Sequence, residues 1–130
     1  LEAEKRLLGL ISQSKKLYKM SSAHIKAEEF ATDVYRRLAK SMYDSYENGM
    51  SPDPAMMLND FSGDDLSEAS EVFYNLEVYS GDEETVKELL YTIKLEKLNM
   101  RINAEADPTN LMDLFKQREE LLNEKNTWEE

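Results

Sequence analysis

The sequence predicts an all-α protein. Apolar side chains recur at spacings of three, four and seven residues along most of the chain, which is the pattern of amphipathic helices. No stretch alternates polar and apolar residues for long enough to indicate a strand. From Asp82 to Glu105 the chain contains neither Pro nor Gly, which favours one long helix. We therefore expect a compact helical bundle subdomain followed by a long helix and a C-terminal helical hairpin.

The first predicted helix covers residues 2–17. Its apolar positions define a broad face for burial, and Ser21-Ser22 is expected to form the loop after it. The members of this face are Leu7, Leu8, Leu10, Ile11 and Leu17.

An aromatic-rich helix is predicted from about Glu28 to Glu47. Asn48-Gly49 should end it, because both residues tolerate left-handed backbone angles. Its apolar positions are Phe30, Val34, Tyr35, Leu38, Met42, Tyr43 and Tyr46.

Two shorter helices are predicted in the middle of the chain. Ser51-Pro52-Asp53-Pro54 forms a rigid connection, in which Asp53 is placed to cap a helix that begins at Pro54. A turn at Ser62-Gly63-Asp64 precedes the second of these helices. That helix has apolar positions at Leu66, Ala69, Val72, Phe73 and Leu76.

The last third of the chain is predicted to be a hairpin with unsatisfied apolar surface. Asp107-Pro108 ends the long helix and starts the return helix, since Asp favours a cap and Pro a first turn. The return helix has one apolar stripe, whereas the long helix has two, so one face must meet another part of the chain or another protein. We therefore divide the chain into a compact subdomain, 1–81, and a hairpin unit, 82–130. The long helix carries Val86, Leu90, Ile93 and Met100 on one stripe and Tyr91, Leu95, Leu98 and Ile102 on the other, and the return helix carries Leu111, Leu114, Phe115, Leu121 and Leu122.

Composition excludes several functional classes. With 41% hydrophobic and 33% charged residues, the chain is too apolar for a disordered tail and has no run that spans a bilayer. It has no Cys, so we expect no disulfide and a cytoplasmic location. The net charge is −11, and the only basic cluster is Lys15, Lys16 and Lys19, so we expect no direct nucleic-acid binding.

The chain offers little for catalysis. Its single His, His24, has no Cys partner, and we expect it to be structural. The acidic pairs at Asp64-Asp65 and Glu83-Glu84 open predicted helices, where carboxylates stabilise the N-terminal dipole. We therefore expect no catalytic residues, no metal, no cofactor and no enzyme activity in this chain.

The order of segments resembles the C-terminal helicase-binding domain of bacterial DNA primase. In that family a compact helical subdomain precedes a long helix and a terminal hairpin. The resemblance implies a domain of a primase that recruits it to the replicative helicase hexamer, by binding the helicase N-terminal domains, and modulates both activities. It also implies that the fragment is monomeric alone. The segments that carry the resemblance are Ala3 to Ile11, Glu28 to Phe30, Tyr35 to Leu38, Tyr46 to Gly49, Thr92 to Leu98 and Asp113 to Leu121.

Two alternatives remain beside the primase hypothesis. The N-terminal domain of the replicative DnaB-type helicase is similar over residues 3–49, although it typically has a Gly-Gly-Leu-Ala-Tyr type segment that this chain lacks. The same architecture would also suit a helical adaptor or a homodimerisation domain, in which the hairpin pairs with a copy of itself.

The partner-binding residues are expected on the hairpin, as apolar anchors surrounded by charged groups. Leu98 and Leu114 also fit a role as internal core residues, and Trp128 fits packing on the hairpin or against a partner. The predicted partner-binding residues are Tyr91, Lys94, Leu95, Leu98, Arg101, Leu111, Leu114, Phe115 and Arg118, with Lys116 as a further rim charge.

Overall fold

The computed structural model describes residues 2–74 and 81–128, and within these ranges it is all-α, which confirms the predicted fold class. The described part contains no strand. Leu76 of the predicted apolar stripe lies outside these ranges. The helices are α1 (Glu2–Gln13), α2 (Lys15–Ser22), α3 (Asp33–Glu47), α4 (Pro54–Leu58), α5 (Gly63–Tyr74), α6 (Glu83–Ala104) and α7 (Pro108–Lys125), with a 3₁₀ helix at Ala27–Glu29 between α2 and α3.

The expectation of one helix over residues 2–17 was wrong, because the chain breaks at Ser14. Ser14 has extended backbone angles and its hydroxyl accepts a hydrogen bond from the amide of Leu17, so it caps a new helix. The expected loop at Ser21-Ser22 was also wrong, since α2 continues through Ser22. Apolar residues continue at helical spacing across Ser14, so the sequence pattern did not reveal the break.

The aromatic helix begins later than predicted. Thr32 caps α3 by accepting a hydrogen bond from the amide of Tyr35, so that Glu28 lies in the 3₁₀ helix instead. The predicted end is confirmed, because Gly49 has a φ of 75°, in the left-handed region.

The predicted caps of α4 and α7 are confirmed. An oxygen of Asp53 accepts the amide hydrogen of Ala55 at 3.0 Å, and an oxygen of Asp107 accepts that of Thr109 at 2.8 Å. The long helix α6 begins in the same way, with Asp82 as its cap.

The core is built around α1, which packs on α2, α3, α5 and α6. Leu7, Leu8 and Ile11 of α1 are fully buried. The first half of α6 joins this core, so that the long helix connects the compact part with the hairpin. The core residues of that half are Val86, Leu89, Leu90 and Ile93. The boundary at residues 81–82 stays a prediction.

Buried polar groups join the helices of the compact part. The carboxylate of Glu4, which is 5% exposed, accepts a hydrogen bond from the amide of Ala31 at 2.8 Å. This bond fixes the segment before α3 on α1, because a buried carboxylate needs such a partner. Among the described helices, none has the length and apolar character needed to cross a membrane.

Candidate protein-binding face of the helical hairpin

Polar contacts fix the register between α6 and α7. The guanidinium of Arg118 donates a hydrogen bond to the side-chain oxygen of Asn99 at 3.0 Å, and Lys125 forms an ion pair with Glu88. The two helices therefore run antiparallel, and Leu114 of α7 is buried in the seam. This arrangement leaves the side of the hairpin that carries Asn99 and Arg118 open.

Apolar side chains flank this polar pair on both helices. Neighbours on a helix surface are three, four or seven residues apart, so residues at those spacings from Asn99 and Arg118 lie near them. Leu114 and Leu121 also have such spacings but are buried, and the other apolar residues at these spacings lie on the open side of the hairpin. We call this set the hairpin face. It consists of Leu95 and Ile102 of α6 and Leu111, Phe115 and Leu122 of α7.

The hairpin face is accessible to a partner. Phe115 is 39% exposed and Leu122 is 52% exposed, whereas Leu95, Ile102 and Leu111 are half-buried. Leu95 also packs partly against the core, so it lies at the edge of this face. The guanidinium of Arg118 lies 5.2 Å from the centroid of the Phe115 ring, within the range of a cation–π contact. Such contacts restrict the orientation of the ring in the free protein.

Charged groups of both signs border the hairpin face. Glu119 is exposed on α7, four residues from Phe115 and three from Leu122, so it lies beside both on the helix surface. The exposed Lys116 is three residues before Glu119. An apolar centre with a polar rim is the usual arrangement of a protein-binding surface.

The structure separates the predicted partner-binding residues into groups. Leu95, Leu111, Phe115 and Arg118 belong to the hairpin face or its polar pair. Leu114 is in the seam, where it is 4% exposed.

The remaining predicted residues lie elsewhere on the hairpin. Leu98 and Tyr91 pack partly against the core, and the ammonium of Lys125 lies 4.9 Å from the Tyr91 ring. The ammonium of Lys94 lies 5.9 Å from the Trp128 ring. Arg101 borders a cleft of about 450 Å³ near the turn between α6 and α7.

Two residues of the hairpin face, Ile102 and Leu122, were not among the predicted partner-binding residues. Both were recognised as members of apolar stripes, and their spacing from Leu95 and Phe115 is seven. The sequence did not show which stripe packs inward, because that depends on the angle between α6 and α7.

Across residues 2–74 and 81–128 there is no group of three or more side chains that suits a metal ion. The cleft beside Arg101 has mixed charges, from Glu105 and Asp113 among others.

The described residues define an all-α domain with a partly exposed apolar face on its hairpin. A family model, the DnaB-like helicase N terminal domain, matches residues 1–95, which is most of the chain. The chain therefore belongs to the DnaB-like helicase N-terminal domain family. No curated protein and no solved structure matches it.

Membership of this family corrects the primase hypothesis. The expectation that the chain is the helicase-binding domain of a bacterial primase was wrong, because the family that matches is the helicase N-terminal domain. The alternative of a helicase N-terminal domain is the better interpretation, and the role of the chain is helicase-related. This family is a helical, non-catalytic domain, which agrees with the expectation that the chain is not an enzyme.

Proposed function

We propose that this chain is the N-terminal assembly module of a DnaB-like replicative helicase, acting in the cytoplasm, and that its hairpin face pairs with the same face of a second copy. The module then links helicase subunits and leaves catalysis to other domains. The observation that carries this proposal is the exposed apolar surface of Phe115 and Leu122 beside the hydrogen bond that joins the two helices of the hairpin.

A second copy is the partner that fits this face best. A helicase hexamer needs contacts between its own subunits, and homo-oligomers commonly pair one surface patch with itself about a two-fold axis. Such a patch must be self-complementary, and this one has an apolar centre with Lys116 and Glu119 at its rim. Across a two-fold axis the lysine of one copy can meet the carboxylate of the other.

The net charge of −11 makes the salt dependence of this pairing diagnostic. Two copies repel each other at long range, and salt screens that repulsion. We therefore expect self-association to become tighter as ionic strength rises. A basic partner protein would show the opposite dependence, because salt would weaken its attraction.

Sedimentation equilibrium over a range of protein concentrations tests the proposal. We expect a concentration-dependent dimer for the unaltered chain. Phe115→Ala should weaken it by roughly 2 kcal/mol, or about 30-fold in Kd, as for an anchor residue at an interface. Met100→Ala is the matched control, since Met100 is 72% exposed but lies two residues, or about 200° of helix, from Ile102.

The outcomes separate the proposal from its competitors. A chain that stays monomeric at every concentration and salt level contradicts pairing through the hairpin face. Equal weakening by Phe115→Ala and Met100→Ala would mean that the association uses another surface.

A further inference from the structure

The end of α7 returns to the compact part of the chain through Trp128. This residue is the only Trp of the sequence and is 4% exposed. Its indole lies against the imidazole of His24, with ring centroids 5.0 Å apart and planes tilted by 38°. His24 is in the turn after α2, where its amide donates a hydrogen bond to the carbonyl of Ser21 at 3.0 Å.

Charged groups from two helices face this ring pair. From α6, the ammonium of Lys94 lies 5.9 Å from the indole centroid, so the indole already has one cation near it. From α7, the carboxylate of Glu124 acts on His24 in the opposite sense. A proton on the half-buried His24 therefore places a second positive charge near Lys94 and the buried indole, with only partial compensation from Glu124.

The balance of these effects disfavours the charged imidazole. Burial lowers the pKa of His24 below its usual value, Lys94 lowers it further, and Glu124 raises it. The stabilisation from this contact is therefore fully present above the usual histidine pKa of about 6.5. It decreases as the pH falls from there through the lowered pKa of His24.

We propose that the contact between Trp128 and His24 is a proton-sensitive clasp, which holds the end of α7 on the compact part and releases it when His24 takes up a proton. Leu121 and Trp128 also join the core, and elsewhere α7 packs chiefly along α6. The clasp adds the contact of this end with the turn after α2. The proposal concerns contacts within one chain and does not depend on pairing between hairpins.

Release of the clasp would change the groove that lies beside it. A groove of about 260 Å³ lies between the 3₁₀ helix, α6 and α7, and it shares Lys94 and Glu124 with the clasp. Leu121 lines this groove and is 4% exposed. Movement of the end of α7 would widen the groove and expose Leu121 to solvent.

Acrylamide quenching of Trp128 fluorescence tests the clasp, in a chain without a histidine tag, between about pH 8 and pH 5, where histidine changes its charge. Because the chain has one Trp and one His, the emission and the imidazole NMR signal each report one side chain. We expect quenching to rise as the pH falls, to follow the NMR titration of His24, and to leave the helical circular dichroism unchanged.

Two variants make the test specific. His24→Gln cannot take up the proton, so its quenching should not change over this pH range. Lys94→Gln removes the neighbouring cation, so the rise in quenching as the pH falls should be smaller in this variant than in the unaltered chain. Constant or falling quenching in the unaltered chain, the same rise in His24→Gln, an undiminished rise in Lys94→Gln, or simultaneous loss of helix would each overturn the proposal.

Discussion

Arg118 donates a hydrogen bond from Nη1 to Oδ1 of Asn99 over 3.0 Å, which joins the two helices of the hairpin beside its apolar face. The same guanidinium lies 5.2 Å from the centroid of the Phe115 ring. One side chain thus bridges α6 and α7 and also contacts the ring that we propose as an interface anchor. The proposed function depends on this arrangement being present in the free chain.

Arg118→Ala should weaken self-association more than it weakens the fold. The hydrogen bond is exposed, so its loss should lower the free energy of unfolding by about 1 kcal/mol or less. The Phe115 ring then loses its neighbour and becomes less ordered before pairing, which makes binding less favourable. Sedimentation equilibrium and urea unfolding measure the two effects. Arg101→Ala, at an exposed position of α6 beside the cleft, is the control, and an equal loss of pairing in both variants would count against the special role of Arg118.

Tyr46→Phe should lower the free energy of unfolding by about 1 kcal/mol, the usual contribution of one hydrogen bond. The hydroxyl of Tyr46 donates to the carbonyl oxygen of Ile11 at 2.6 Å, across α3 and α1, and both groups are buried. Removing the hydroxyl leaves that carbonyl without this donor. Tyr74→Phe is the control, because Tyr74 is 79% exposed and the change should be neutral. Urea unfolding measures both, and equal stabilities would contradict the structure at this bond.

Leu90→Ala should lower the free energy of unfolding by about 2–5 kcal/mol, as for other leucines removed from a packed core. Leu90 is fully buried in the half of α6 that belongs to the core. Leu122→Ala, a deletion of the same atoms at a position 52% exposed, should cost far less. Thermal and urea unfolding compare the two variants. If Leu90→Ala were as mild as Leu122→Ala, the first half of α6 would not be part of the core.

The stability of the chain should fall as the pH rises above about 10, the usual tyrosine pKa. Burial raises the pKa of Tyr43 well above that value, and its hydroxyl donates a hydrogen bond to the carbonyl of Ile25 at 2.9 Å. The unfolded chain therefore releases this proton at a lower pH than the folded chain, and deprotonation favours unfolding. Urea unfolding between pH 8 and pH 11 measures the decline. It should be shallower in Tyr43→Phe, and an identical decline would assign the effect to other groups.

Local chemistry made several features of the fold predictable. Asp53 and Asp107 each precede a proline, and Gly49 follows an aromatic helix, so the corresponding helix ends could be located from the sequence. The break at Ser14 could not, because apolar residues continue at helical spacing on both sides of it.

The candidate site was only partly predictable, for a different reason. The apolar stripes of α6 and α7 follow from their spacing, but the packing angle decides that Leu114 is buried and Leu122 is exposed. The contact between His24 and Trp128 joins distant parts of the chain and has no local signal.

The family assignment was wrong because it depended on the order of helical segments. Part of the primase hypothesis came from the hairpin, most of which lies after the matched residues. The family match covers residues 1–95 and so includes the compact part and the first half of α6, but only the beginning of the hairpin.

Cysteine cross-linking tests the pairing of hairpin faces most directly, because the chain has no native Cys. Glu119 is exposed on α7, four residues after Phe115 and three before Leu122. We expect Glu119→Cys to form a disulfide-linked dimer under mild oxidation, and Phe115→Ala in the same chain to reduce its yield. Lys19→Cys, exposed on α2, is the control and should remain largely monomeric. Cross-linking of Glu119→Cys no faster than that of Lys19→Cys would contradict the account.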